Sequence, residues 1–229
     1  MAADCILVIT ATQPRLAPLR GRLNAAAVLW FGIAVSAIGC IYLATAVNVL
    51  ARLLALLTLL PYLFLYTPLK RKTPMCVLVG VLPGGVPRLI GWAAASGKLS
   101  CEAWALYAMV FVWQFPHFMA IAWIYREDYD RAGYRLVPPA HTRVSFVTLQ
   151  TILPLLALSP ISLFAVSGGQ PSILSGIGAL LLSVGFLYHG AQFVRRRSSS
   201  AARRLLLASI IYLPSLSVLA VLLRAWRVL

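Results

Sequence analysis

Seven apolar stretches dominate this chain, at about residues 24–46, 48–66, 75–95, 102–125, 144–167, 171–194 and 205–226. Each is close to the roughly 20 residues that cross a bilayer as an α-helix. Few folds remain open to such a chain. Backbone N–H and C=O groups in lipid have no water to bond, so spanning segments are helices or the strands of a closed barrel. The stretches lack the period-two alternation of barrel strands. The expected fold is therefore all-α, a polytopic transmembrane bundle of about seven helices. Composition agrees: 11% of the residues are charged and 61% are hydrophobic, whereas soluble domains carry about 25% charged residues. No soluble domain, internal repeat or long linker is visible, and residues 1–229 read as one membrane-embedded domain.

The net charge of +15 would suggest nucleic acid in a soluble protein. Here the basic residues lie between apolar spans, and their distribution describes a topology instead. Fifteen of the 20 fall on one side: Arg15, Arg20 and Arg22; Lys70, Arg71 and Lys72; Arg126, Arg131, Arg135 and Arg143; and Arg195, Arg196, Arg197, Arg203 and Arg204. Lys98, Arg224 and Arg227 fall on the other, and Arg52 and Arg88 lie within spans. Cytoplasmic loops collect Lys and Arg. The N-terminus, the Lys70 loop and the Asp128 loop are thus expected in the cytoplasm, the C-terminus opposite, and the partner is the lipid bilayer rather than nucleic acid. The apolar run at 5–12 is too short to span and has no basic region before it, so it makes a poor signal peptide. With no transit peptide in view, the expected location is a bacterial cytoplasmic (inner) membrane. The four cysteines (Cys5, Cys40, Cys76, Cys101) are scattered, with neither metal-ligand spacing nor a disulfide framework.

Three of the five acidic residues, Glu127, Asp128 and Asp130, crowd the loop after the fourth span. Carboxylates are hard oxygen ligands of the kind magnesium prefers, in a shell it shares with substrate phosphates. On a helix an i, i+2 pair diverges, so a turn or helix end is expected here, supported by Gly133 and Pro138-Pro139. A solvated loop whose acids pair with Arg126, Arg131 and Arg135 is the competing reading. Lys70-Arg71-Lys72-Thr73 follows the end of the second span and suits a departing diphosphate, or a simple positive-inside anchor. His117 follows the helix-kinking Pro116 and lies eight residues, roughly 12 Å of helix, before Tyr125. Trp113, His117, Ala120 and Ile124 share its face, with Gln114 adjacent. Polar groups at this depth face a cavity or a neighbouring helix. Gly80-Val81-Leu82-Pro83-Gly84-Gly85-Val86-Pro87 is expected to interrupt the third span. It either lines a cavity or, through Gly80 and Gly84, lets helices approach closely.

YTPLKRKTP (66–74), LIGWAAASGKLS (89–100) and WQFPHFMAIAWIYREDYDRAGYRLVP (113–138) in combination resemble the protoheme IX farnesyltransferases (heme O synthases) of the UbiA-like intramembrane prenyltransferase superfamily. The resemblance runs from about Arg15 to the C-terminus. It implies transfer of the farnesyl group of farnesyl diphosphate to a vinyl group of heme B, giving heme O and diphosphate, with Mg2+ as cofactor. It implies Asp128 as the main metal ligand, with Glu127 and Asp130 in support. Lys70, Arg71 and Lys72, joined by Arg126, are implied at the diphosphate, with Asp128 and the Lys70 cluster carrying the catalysis. His117 is implied at the heme, and heme A synthase or a terminal oxidase assembly is an implied contact.

The pattern also departs from that family. Nine helices and a first acidic motif, on the loop after the second helix, are expected of members. Here only 14 residues precede the segment at Arg15, so the first two helices and that motif are expected to be missing. Arg88 stands where an apolar residue or proline is expected. The alternatives are a non-catalytic heme- or partner-binding membrane protein, a prenyltransferase for quinone or chlorophyll precursors, and a transporter. The WQFPHF and EDYDRAG runs argue against the second, and an acid cluster on a loop argues against the third.

Overall fold

In the computed structural model, residues 25–69, 72, 76–131, 140–167 and 173–228 are described, and nearly all of them are helical. Helix α1 (Ala25–Tyr42) runs through a π-helical turn, Leu43–Val47, to Asn48. Asn48 has extended backbone, which ends one helix and starts the next. Its side-chain oxygen accepts from Ala51 N at 2.8 Å, capping α2 (Val49–Pro61), while its Nδ2 donates to Ala93 O at 2.8 Å. One side chain thus begins α2 and pins it to its neighbour. The same segment continues through Tyr62–Tyr66, another π-helical turn, to Thr67–Leu69.

Helix α3 (Cys76–Ser96) turns at Gly97, whose φ of +70° suits a residue without Cβ. Ser100 caps α4 (Cys101–Ile124) by accepting from Ala103 N. A short α5 (Arg126–Arg131) follows, then α6 (Ala140–Ser167), α7 (Ile173–Arg196) and α8 (Ser199–Val228). The expected all-α bundle is what forms, and among the described residues there is no strand. Among the described residues six stretches are long and apolar enough to cross a membrane: Leu29–Val47, Val49–Leu69, Cys101–Ile124, Val144–Val166, Gly176–Arg196 and Ser199–Leu222; the third of the seven expected spans, at 75–95, is not among them. The protein is an integral, multi-pass membrane protein.

Helix α4 is the hub, packed against α3, α6 and α8; α6 and α8 both pack on α7, and α2 packs on α3. The larger core joins Met109, Met119 and Trp123 of α4 to Leu155, Phe186, Phe193 and Leu205 of α6–α8. The smaller one joins Leu54, Val86, Leu89 and Ala103 across α2–α4. Apolar packing gives little net drive where the surrounding lipid is equally apolar, so polar pins matter. Tyr212 of α8 supplies one: its buried hydroxyl meets Ser162 Oγ of α6 at 2.8 Å and Ser183 Oγ of α7 at 3.0 Å.

The third expected span corrects the sequence reading. Pro83 and Pro87 lie inside α3, which continues as a helix through Gly80–Pro87 instead of breaking there. Each proline removes one backbone donor, and α4 places polar side chains beside this stretch. Tyr107 Oη donates to Leu82 O at 3.3 Å, and Gln114 Nε2 reaches Val81 O at 3.5 Å and Val110 O at 3.2 Å. The glycines serve close approach. A Cβ at Gly84 would collide with the Gln114 carboxamide, one at Gly85 would stand 2.9 Å from the Tyr107 ring, and one at Gly80 would stand 2.7 Å from the Tyr66 ring.

Candidate functional site

At the end of α4 the helix breaks at Tyr125 (φ −103°, ψ 20°) and restarts as α5, which carries all three loop carboxylates. The turn expected at the carboxylates falls instead at Tyr125, before them, and the carboxylates themselves sit on a short helix; Gly133 and Pro138-Pro139 lie outside the described residues. Because α5 is helical, Asp128 and Asp130 diverge, as an i, i+2 pair must. Glu127 is 3.4 Å from Arg126 Nη2 and largely exposed. Asp128 is one-third exposed, 3.9 Å from Arg131 Nη1. Asp130 is exposed. Arg126 also donates from Nη1 to Trp123 O at 3.0 Å and lies 5.5 Å over the Trp123 ring. That folds its guanidinium back onto the end of α4.

Among the described residues no three His, Cys, Asp or Glu side chains gather into a metal-binding cluster. A closed protein cage is thus not formed by them. A shared site is different: magnesium takes one or two protein carboxylates and completes its shell with substrate phosphates and water. The chemistry of Asp128, a one-third exposed oxygen donor, fits that kind of site.

Lys72 lies at the same end. It is exposed in a turn, its N–H bonded to Leu69 O at 2.9 Å. Leu69 in turn packs with Phe115 of α4 and Val81 of α3. Lys70 and Arg71 fall outside the described residues. The α3–α4 hairpin explains the proximity: the start of α3 lies beside the end of α4, so the basic and acidic segments share one end of the bundle.

His117 is half-buried one-third of the way back along α4, between Trp113 and α8. Its ring stacks on Trp113 with centroids 4.5 Å apart, and its Nδ1 is 2.7 Å from Ser209 Oγ. Ser209 Oγ is also 2.6 Å from Leu206 O, and Trp113 Nε1 donates to Ser209 O at 2.9 Å. These contacts argue for a proton on Nδ1. A carbonyl only accepts, so the one Ser209 proton goes to Leu206 O, and His117 Nδ1 must donate to Ser209. Nε2, on the far side of the ring, is left facing away from Ser209. Sequence reasoning found His117 and Trp113 but not Ser209. The last span holds several serines in no motif, and only the crossing of α4 with α8 singles one out.

Among the described residues, three buried side-chain polar atoms have no hydrogen-bond partner: Trp123 Nε1, Gln150 Oε1 and Thr151 Oγ1. Such atoms are rare in folded proteins and mark places where another polar atom can be received. Nothing in the sequence distinguishes Gln150 and Thr151 from ordinary span residues. Arg88 is half-buried on α3, and no carboxylate among the described residues pairs with it.

A multi-pass helical bundle with a carboxylate-bearing helix and a basic turn at one end, and a histidine within, is an arrangement suited to holding an ionic head at the rim and an apolar body inside. The chain belongs to the UbiA prenyltransferase family, which it matches over residues 8–213. Its relatives are more specific. It is 44% identical over 194 residues to the protoheme IX farnesyltransferase of Solibacter usitatus, covering 85% of this chain and 66% of that one. With that of Myxococcus xanthus it shares 39% over 197 residues, covering 86% and 67%. With that of Christiangramia forsetii it shares 33% over 233 residues, covering 97% and 75%. The chain thus spans about two thirds of the length of the first two of these relatives. No solved structure matches it.

Proposed function

We propose that this chain carries the core of a protoheme IX farnesyltransferase, moving a farnesyl group from farnesyl diphosphate to a vinyl group of heme B and giving heme O and diphosphate. The observation that carries the reading is its 44% identity to a relative of that name. The shared rim, with Asp128 and Lys72 at one end of the bundle, supports it.

The chemistry needs an allylic C–O bond to break, its electron pair leaving with diphosphate, while the vinyl π-electrons close the new C–C bond. The cation this leaves on the vinyl carbon next to the porphyrin ring then takes up water, which loses a proton and becomes the hydroxyl of heme O. Magnesium would supply positive charge at the departing diphosphate. Asp128 would hold it, with Glu127 and Asp130 as further donors. Lys70, Arg71 and Lys72 would stabilise the charge growing on the leaving group; preorganised charges of this kind contribute most to such steps. Arg126 would reach the same phosphates once it leaves Glu127 and Trp123 O. The apolar interior would take the farnesyl tail and keep water from the allylic cation. His117, with Nε2 facing away from Ser209, would meet the heme. The rim would face the cytoplasm, as the basic residues collect there, in a bacterial inner membrane.

Mass spectrometry on membranes supplied with heme B, farnesyl diphosphate and magnesium tests this. Heme O should form, and Asp128→Ala should abolish it. Should no heme O form from this chain, nor from the chain extended at its N-terminus to the length of its relatives, the proposal fails.

A further inference from the structure

At the rim, where α7 ends and α8 begins, a cavity of about 50 Å³ opens on the outside of the bundle. Tyr188, His189, Gln192 and Arg196 line it from α7, Ser200 and Arg204 from α8. The turn between the helices is tight. Arg197, with φ of +47°, donates its backbone N–H to Phe193 O at 2.8 Å, and Ser198 caps α8 by accepting from Ala201 N at 3.2 Å. That turn presses two guanidiniums toward one small space. No carboxylate among the described residues pairs with Arg196 or Arg204. Gln192 is oriented by its 3.3 Å bond from Nε2 to Tyr188 Oη. Two unopposed cations with an amide, hydroxyls and an imidazole around a space this size suit a single phosphate group, which arginine binds with two parallel hydrogen bonds.

The surface on the membrane side of the cavity identifies where the phosphate comes from. Leu207 and Ile211 follow Arg204 at i+3 and i+7, and Val184 and Leu181 precede Tyr188 at i−4 and i−7, so each set shares a helix face with its cavity residue. All four are more than half exposed, at 58%, 53%, 54% and 68%. An exposed apolar stripe therefore runs from the cavity along the membrane-spanning parts of both helices. A soluble phosphate would need no stripe; a phosphate carrying acyl chains would. We propose that the α7–α8 hairpin binds an anionic phospholipid, its phosphate between Arg196 and Arg204 and its chains along Leu181, Val184, Leu207 and Ile211. Basic pockets between helices at a membrane surface are suited to such headgroups. The site lies outside the proposed reaction centre and does not depend on it.

The test is native mass spectrometry of the chain released from phosphatidylcholine nanodiscs containing graded phosphatidylglycerol. The wild type should retain phosphatidylglycerol, and Arg196→Gln with Arg204→Gln should weaken retention roughly 30-fold, about a kilocalorie per cation removed. Arg195→Gln with Arg203→Gln removes the same charge from the same hairpin but not from the cavity, and should retain the lipid. Arg196→Lys with Arg204→Lys should fall between. Equal losses in both glutamine pairs would reduce the site to general surface charge and overturn the proposal, as would no loss in either. Inorganic phosphate at millimolar concentration should not displace the lipid; displacement would assign the cavity to a soluble anion and overturn the lipid assignment. Both arginines are exposed, and an unchanged thermal unfolding midpoint for each variant excludes misfolding as the cause.

Discussion

Helices α1 and α4 are both apolar enough to cross a membrane, yet none of the α1 span is buried within the chain while 44% of the α4 span is. The side chains that hydrogen-bond explain the difference. In α1 and its extension, Ser36 and Thr45 donate to Gly32 O and Ile41 O of their own segment. In α4, Tyr107, Trp113, Gln114 and His117 all reach other helices. Glycines repeat the contrast. A Cβ at Gly32 or Gly39 of α1 would meet nothing within 4 Å, whereas Gly84 and Gly85 are in close contact with α4 side chains. Apolarity puts a helix in the bilayer; polar side chains and close contacts decide which helix becomes the hub. This agrees with lipid being as good an apolar partner as another helix.

The sharpest way to break that comparison is at the end of the hub. Asp128→Ala should lower heme O formation about 10²–10³-fold, the scale of losing a preorganised electrostatic group, while Trp30→Ala on α1 should leave turnover within a factor of two or so. Equal losses would mean that α1 takes part in the reaction. A smaller effect is expected in packing. Gly84→Ala should destabilise the bundle by about 1–3 kcal/mol through overpacking against Gln114, and Gly32→Ala should be neutral or slightly stabilising. Thermal unfolding in detergent with an environment-sensitive dye would read both. Smaller still is Trp113→Phe, which deletes the bond to Ser209 O and should destabilise by about 0.6 kcal/mol, the average for an interhelical hydrogen bond in a membrane. If Trp113→Phe proves silent, the α4–α8 crossing is held by shape alone. Ser36→Ala on α1 anchors the low end, with a shift expected within about 0.5 kcal/mol.

The same contrast separates what was legible in the residues from what was not. The spans were legible because length and apolarity are local properties, and so was the end of α4, where Glu127, Asp128 and Asp130 stand out in a chain with five acids. The Gly80–Pro87 stretch was misread as a break. Proline and glycine disfavour a helix locally, and what the glycines serve here, close contact with Gln114 and Tyr107, exists only once α3 and α4 fold into a hairpin. The His117 partner was hidden for the same reason: Ser209 is 92 residues away, and serine in an apolar span carries no signal of its own.

By itself the sequence determined the membrane class and the helical spans, and it singled out the carboxylates that follow α4. Each follows from counting side chains against the thickness and dielectric of a bilayer. Only the tertiary structure decided that α3 continues through its prolines, that His117 Nδ1 meets Ser209, and that Arg196 and Arg204 face one cavity above an apolar stripe. Those outcomes depend on which helices cross and at what depth. In lipid that choice is made by a few interhelical hydrogen bonds and close contacts between residues far apart in the chain.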